Sequence, residues 1–180
     1  MKETIYNAFE QLSLFRKNET NLLIFLILFS IFIRIPAISI FGDISLDNEW
    51  KIIVENLIEH KKFALKNFDK FFLPNLTMPP LYAFYLYFFS IFNLSQSNYV
   101  LLILVSHALL SAISVAIYYK INKIFFSQKI SFYSSLLFSL FPLYIYACTQ
   151  ISSISLQVFF ILLFFYFFFE LVKKKNTLSI

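Results

Sequence analysis

Apolar residues along this chain come in runs of membrane-span length, with charge returning between them. A full crossing needs about 20 mostly apolar residues, and the stretches 22–41, 99–119, 130–149 and 152–172 meet that. A fifth run, LYAFYLYFFSIF at 81–92, is too short for a full crossing and is expected to dip into the interface. Pro79-Pro80 opens it, which suits a first helical turn, where the missing N–H groups would have no partner anyway. Within 46–62 the pattern is helical with a single stripe. Trp50, Ile53, Val54 and Leu57 fall at i, i+3, i+4 and i+7, and Lys51, Glu55, Glu59 and Lys62 take the other side. That predicts an amphipathic helix lying in the headgroup plane, with Trp50 at interfacial depth and Asp47 or Ser45 as its cap. FLPNLTMPPL at 72–81 reads as a Pro-punctuated loop.

Composition agrees with this reading. Hydrophobic residues make up 59% of the chain and charged residues 14%, with a single glycine and a mean hydropathy of +0.74. The expected class is an all-α, polytopic integral membrane protein, because backbone exposed to lipid must satisfy its own hydrogen bonds. About four transmembrane helices are expected, plus the amphipathic interfacial helix in the first external loop. The organisation is a cytoplasmic N-terminal segment 1–21, a membrane domain 22–172 with its external loop at 42–98, and a cytoplasmic tail 173–180. This places Lys120, Lys123 and Lys129 with the tail lysines Lys173, Lys174 and Lys175 on the cytoplasmic side, and the acid-rich loop with the 148–153 turn opposite. A five-span chain with its N-terminus outside satisfies the charge rule equally; segment length favours four. The net charge of +5 belongs to clusters flanking spans and is no nucleic-acid signature. The expected location is a cell membrane, multi-pass, of the bacterial inner or plasma-membrane kind. Cys148 is the single cysteine, so no internal disulfide is expected.

Several stretches carry a family likeness in order and spacing. The first span ends in Arg34-Ile-Pro36, followed by Gly42-Asp43 and Asp47-Asn48-Glu49-Trp50. Then come Ile53-Val-Glu-Asn56-Leu57, Phe63-Ala-Leu, Met78-Pro79-Pro80-Leu81-Tyr82 and Phe141-Pro142. In this order they resemble the N-terminal part of the polytopic glycosyltransferases of the GT-C fold, in the bacterial branch related to protein O-mannosyltransferases and lipid A aminoarabinose transferases. The resemblance implies transfer of a sugar from a polyprenyl-phosphate carrier to an acceptor hydroxyl on the extracytoplasmic side, with an acid of the first external loop as general base. Carried over residue by residue, it makes Asp47 the leading base and Asp43 the second. Glu49, Trp50, Pro79, Pro80 and Tyr82 would shape the substrate pocket, and Arg34 would snorkel to phosphate. The partners implied are the lipid bilayer and the polyprenyl-linked donor. No cofactor is expected, with a divalent metal left open. Two features depart from the family. Residues 148–157, CTQISSISLQ, carry no acid where the family usually has one, and family members have many more spans, so a further membrane polypeptide is an expected partner.

Residues also have plainer roles. Asp47 is a natural helix cap, Asp43 and Glu49 suit a solvated loop, and Arg34 suits an orientation anchor. His107 lies mid-span, where a neutral ring bonded to Ser106, Ser111 or a neighbouring helix is expected; with His60 far off, it makes no metal site. The serines at 111, 114, 134, 135 and 139 read as packing faces. No glycine-rich phosphate loop exists, which excludes that mode of nucleotide binding. The rival from another class is a small non-enzymatic membrane scaffold or accessory subunit, or an inactive transferase remnant.

Overall fold

The computed structural model describes the backbone of residues 2–68, 71–75 and 78–178, and the side chains of residues 18–65, 74, 75 and 78–175. The chain runs α1 (Lys2–Phe41), α2 (Glu49–His60), β1 (Ala64–Phe68), β2 (Phe71–Pro74), α3 (Pro80–Ser90), α4 (Gln96–Phe125), α5 (Gln128–Ser139), α6 (Pro142–Ala147) and α7 (Ile154–Leu178). Three helical stretches, Asn18–Phe41, Gln96–Phe125 and Ile154–Lys175, are long and apolar enough to cross a membrane. The chain is largely helical, and these three helices have the length and hydropathy of membrane spans.

Helix α4 is the axis of the bundle and packs against α1, α5 and α7. Between helices in hydrocarbon, close packing and interhelical hydrogen bonds replace the hydrophobic drive, so small residues mark the contacts. Ala108, Ser111, Ala112, Ser114 and Val115 of α4 are all buried, as are Ser131, Ser135 and Ser139 of α5. The Ser30 and Ser139 hydroxyls bond α1 to α5 at 2.8 Å. Helix α7, rich in phenylalanine, is largely exposed and suited to acyl chains. The chain alternates between two ends. The α1 C-terminus, α4 N-terminus and 148–153 turn lie at a loop face. At the opposite end Glu19 of α1 pairs with Lys123 of α4 at 2.8 Å.

Four expectations change. The 130–149 run is not one helix: α5 ends at Ser139 and α6 begins at Pro142. Proline brings no N–H to the ladder and disfavours helical geometry at the residue before it, and Phe141 is accordingly extended at φ −63°, ψ 116°. The all-α class holds, with one small addition in the external loop: β1 and β2 pair antiparallel as a short hairpin, with Ala64 facing Pro74 and Lys66 facing Leu73. The Pro-punctuated loop therefore begins inside a strand, and residues 69, 70, 76 and 77 lie outside those described. The cap of α2 is Asn48, whose Oδ1 accepts the Trp50 N–H at 3.2 Å, rather than Asp47 or Ser45. Finally, α1 runs through residues 21–22 without a boundary. Helix α3, opened by Pro80, spans only about 16 Å at 1.5 Å per residue. It stays short of a crossing, as its length in the sequence predicts.

Gly42 ends α1 against its own carbonyls. A Cβ there would stand 2.3 Å from the Ile38 carbonyl oxygen and 3.1 Å from Leu104. Replacing Gly42→Ala is expected to cost about 1–3 kcal/mol through the backbone shift this forces, read as a lower Tm of the detergent-purified protein.

Candidate functional site at the loop face

The loop after α1 is laced to the turn between α6 and α7. Asp43 N–H donates to the Thr149 carbonyl at 3.0 Å, and the Asp43 carboxylate accepts the Ile151 N–H at 2.7 Å. Gln150 Nε2 donates to the Phe41 carbonyl at 2.9 Å, satisfying an otherwise open acceptor at the α1 terminus. Asn48 Nδ2 reaches the Ile151 carbonyl at 3.3 Å. The acid-free turn CTQISS thus receives the Asp43 carboxylate from the other segment.

Asp47 is placed differently. Its side chain is 66% exposed and stands 3.9 Å from Lys51 Nζ, an i,i+4 pair that joins the residue before the α2 cap to the helix's first turn. Ser45 hydroxyl also donates to it. Glu49 sits in the same first turn, exposed, where a carboxylate complements the helix N-terminus. The two leading acids therefore separate: Asp43 is a half-buried staple, and Asp47 faces water.

Trp50 is only 7% exposed and meets the Tyr82 ring edge-on, centroids 4.7 Å apart. The whole apolar stripe of α2 (Trp50, Ile53, Val54, Leu57) is buried with Tyr82, Ala83 and Leu86 of α3 and with Ile103 and Leu104 of α4. The helix is amphipathic as its sequence predicts, but its apolar face is covered by protein and not by lipid. Asn56, also buried, ties it to the hairpin through an Nδ2 bond to the Ala64 carbonyl at 2.9 Å.

Beneath Trp50, Tyr82 hydroxyl and His107 Nε2 stand 3.3 Å apart. Tyr85 stacks on His107 at 5.8 Å and bonds Ser106. His107 therefore bonds to α3, neither to Ser106 nor to Ser111. Its Nδ1 closes no hydrogen bond, although the Gln150 backbone lies within its electrostatic reach. Burial pushes the Tyr82 phenol up, with Tyr85, Tyr99 and the Asp43 carboxylate adding to the push, so Tyr82 stays a neutral hydroxyl. Sequence reading missed the Tyr82–His107 pair: the polar residue in each apolar run was visible, but nothing local states that the two face each other. Pro79 and Pro80 start α3 and thereby fix where Tyr82 points.

Arg34 is the largest departure in placement. It does not snorkel to headgroup level. Its side chain is fully buried, with Nε donating to Ser111 Oγ at 2.6 Å and Nη1 to the Ser30 carbonyl at 3.0 Å. It lies within the bundle, apart from the acids of the loop.

A groove of about 430 Å³ opens on the other side of α2. Leu46, Val54, Ile58, Leu94 and Tyr99 form its apolar wall, and Lys51, Glu55 and Asn93 are its main polar groups. That volume falls within the range of small-molecule pockets. Asp47 stands next to it through its neighbour Leu46 and its ion-pair partner Lys51. Among the described residues no group of three or more His, Cys, Asp or Glu is arranged to hold a metal ion.

Trp50 is the single tryptophan, so its surroundings are directly measurable. In vesicles of brominated phospholipid its fluorescence should be quenched only weakly, because protein encloses the indole. Strong quenching would return α2 to a lipid-inserted position. No protein-family model, no curated protein and no solved structure matches the chain, so the reading of this site rests on its own geometry.

Proposed function

We propose that this chain contributes the first external loop and neighbouring spans of a membrane glycosyltransferase that takes a sugar from a polyprenyl-phosphate carrier. The observation that carries the reading is the α2 groove, with its apolar wall, its lysine and the water-facing Asp47 at one end. An isoprenoid tail needs the wall, its phosphate needs a cation at headgroup level, and the acceptor hydroxyl needs a carboxylate with access to water. Asp47 is the base in this reading, oriented by Lys51 and Ser45. Asp43 becomes a positioning residue that closes the loop onto the 149–151 turn. In the same reading, α5 and α6 together make a broken crossing, which brings the crossings to four and puts the loop face outside the cell. Further spans, in this or another polypeptide, would extend the groove.

Two experiments test it. A photoreactive polyprenyl phosphate should label residues 46–58 and 90–99, and Ile58→Trp, which fills the groove from its exposed wall, should abolish that labelling. In a transfer assay with the polyprenyl-linked donor, Asp47→Asn should lower the rate by about 100-fold or more, the usual worth of a general base. A protein that is labelled elsewhere, or that complements fully as Asp47→Asn, is a scaffold. Topology is checked separately by membrane-impermeant thiol labelling, with buried Cys148 as background. Glu59→Cys and Ser97→Cys should react from outside, and Phe125→Cys and Lys174→Cys only after the membrane is opened.

A further inference from the structure

Arg34 carries a charge that the described residues do not balance. Its Nη2 is buried and closes no hydrogen bond, and none of the ion pairs among the described residues involves it. A guanidinium cannot shed its proton at any ordinary pH, and a buried cation without a counter-charge is costly. Part of that cost is offset locally. The guanidinium lies over the Tyr144 ring at 5.4 Å, a favourable cation–π arrangement, and Nη1 holds the Ser30 carbonyl.

The side chain also sits at the break in the bundle. Ser30, one turn below it, bonds Ser139, the last residue of α5, and Tyr144 belongs to α6 just beyond Pro142. Irregular backbone at membrane depth is tolerated where it is enclosed by protein or lines a polar space. The Tyr144 hydroxyl is likewise buried without a partner, lying within reach of the Ser111 and Ser114 hydroxyls but closing no bond to either. The groups around the guanidinium are serine hydroxyls, the Cys148 thiol and the Tyr144 ring, and no carboxylate is among them in the described residues.

We propose that a small inorganic anion of halide size binds between α1, α4 and α6, against Arg34 Nη2 and the Tyr144 hydroxyl. A water molecule would satisfy the open donors and leave the charge uncompensated; an anion answers both. The inference concerns the bundle interior and is independent of the transferase reading, whose groove lies on the far side of α2.

The test uses the purified full chain in a zwitterionic detergent free of anionic lipid. Thermal unfolding is measured in sodium gluconate, chloride, bromide and phosphate at equal ionic strength. Chloride and bromide should raise the Tm by several degrees over gluconate, saturably, and Arg34→Gln should remove the difference. Equal Tm values in all four salts, or the same halide-dependent rise in Arg34→Gln, would overturn the proposal in favour of bound water or general salt effects. Should Arg34→Gln fail to fold, Tyr144→Phe serves instead. It is expected to raise the half-saturating bromide concentration several-fold, and an unchanged midpoint overturns the site.

Discussion

A polar group buried in this chain is costly without a partner, and that cost shapes the loop face more than hydrophobicity does. The Asp43 carboxylate meets the Ile151 N–H across 108 residues of sequence, and Gln150 answers the open carbonyl at the end of α1. These bonds close the bundle's mouth. They fix where α1 stops, where α7 begins and how the intervening loop leaves the bundle. Once the mouth is closed, α2 has a floor of α3 and α4 side chains to lie on, and its charged side turns outward. The position of Lys51 and Glu55 beside a groove then follows from the period of one helix.

The elements that the sequence makes legible are those whose signal is local. The long apolar runs of α1, α4 and α7 are helices, the stripe from Trp50 to Leu57 is an amphipathic helix, and Pro79-Pro80 starts α3. Other features depend on partners. A stripe announces that α2 has an apolar face and is silent on whether lipid or protein covers it. The α5–α6 break escapes because hydropathy averages over Pro142, although that residue is visible. The hairpin escapes because its strands are short, and the bond from Asn56 to Ala64 that ties it to α2 is a contact no pattern reports.

The candidate site divides in the same way. Acids clustered after the first span are plain in the sequence, as is the aromatic that follows them. That Asp43 is tied across the mouth and Asp47 is left facing water depends on a turn more than a hundred residues away. Arg34 shows the limit most clearly. A cation late in a span ordinarily reaches for the headgroups, but Ser30 and Ser111 leave room for it to fold inward. Small residues on α1 and α4, not any property of the arginine, decide its direction. The same small residues allow the Ser30–Ser139 bond that holds the broken helix in place.

The span from Arg34 to Ser111 also bears on how the protein is made. Ser111 lies 77 residues further along the chain, so the first helix leaves the ribosome long before its arginine's partner exists. During that interval the guanidinium has the Ser30 carbonyl of its own helix, water and lipid phosphates to contact. Its inward turn belongs to assembly rather than insertion, and it waits for α4 to arrive. The mouth closes later still, when residues 149–151 emerge. Along the chain, then, the contacts that seat α1 become available in order: Ser111 of α4 first, and the residues of the 149–151 turn last.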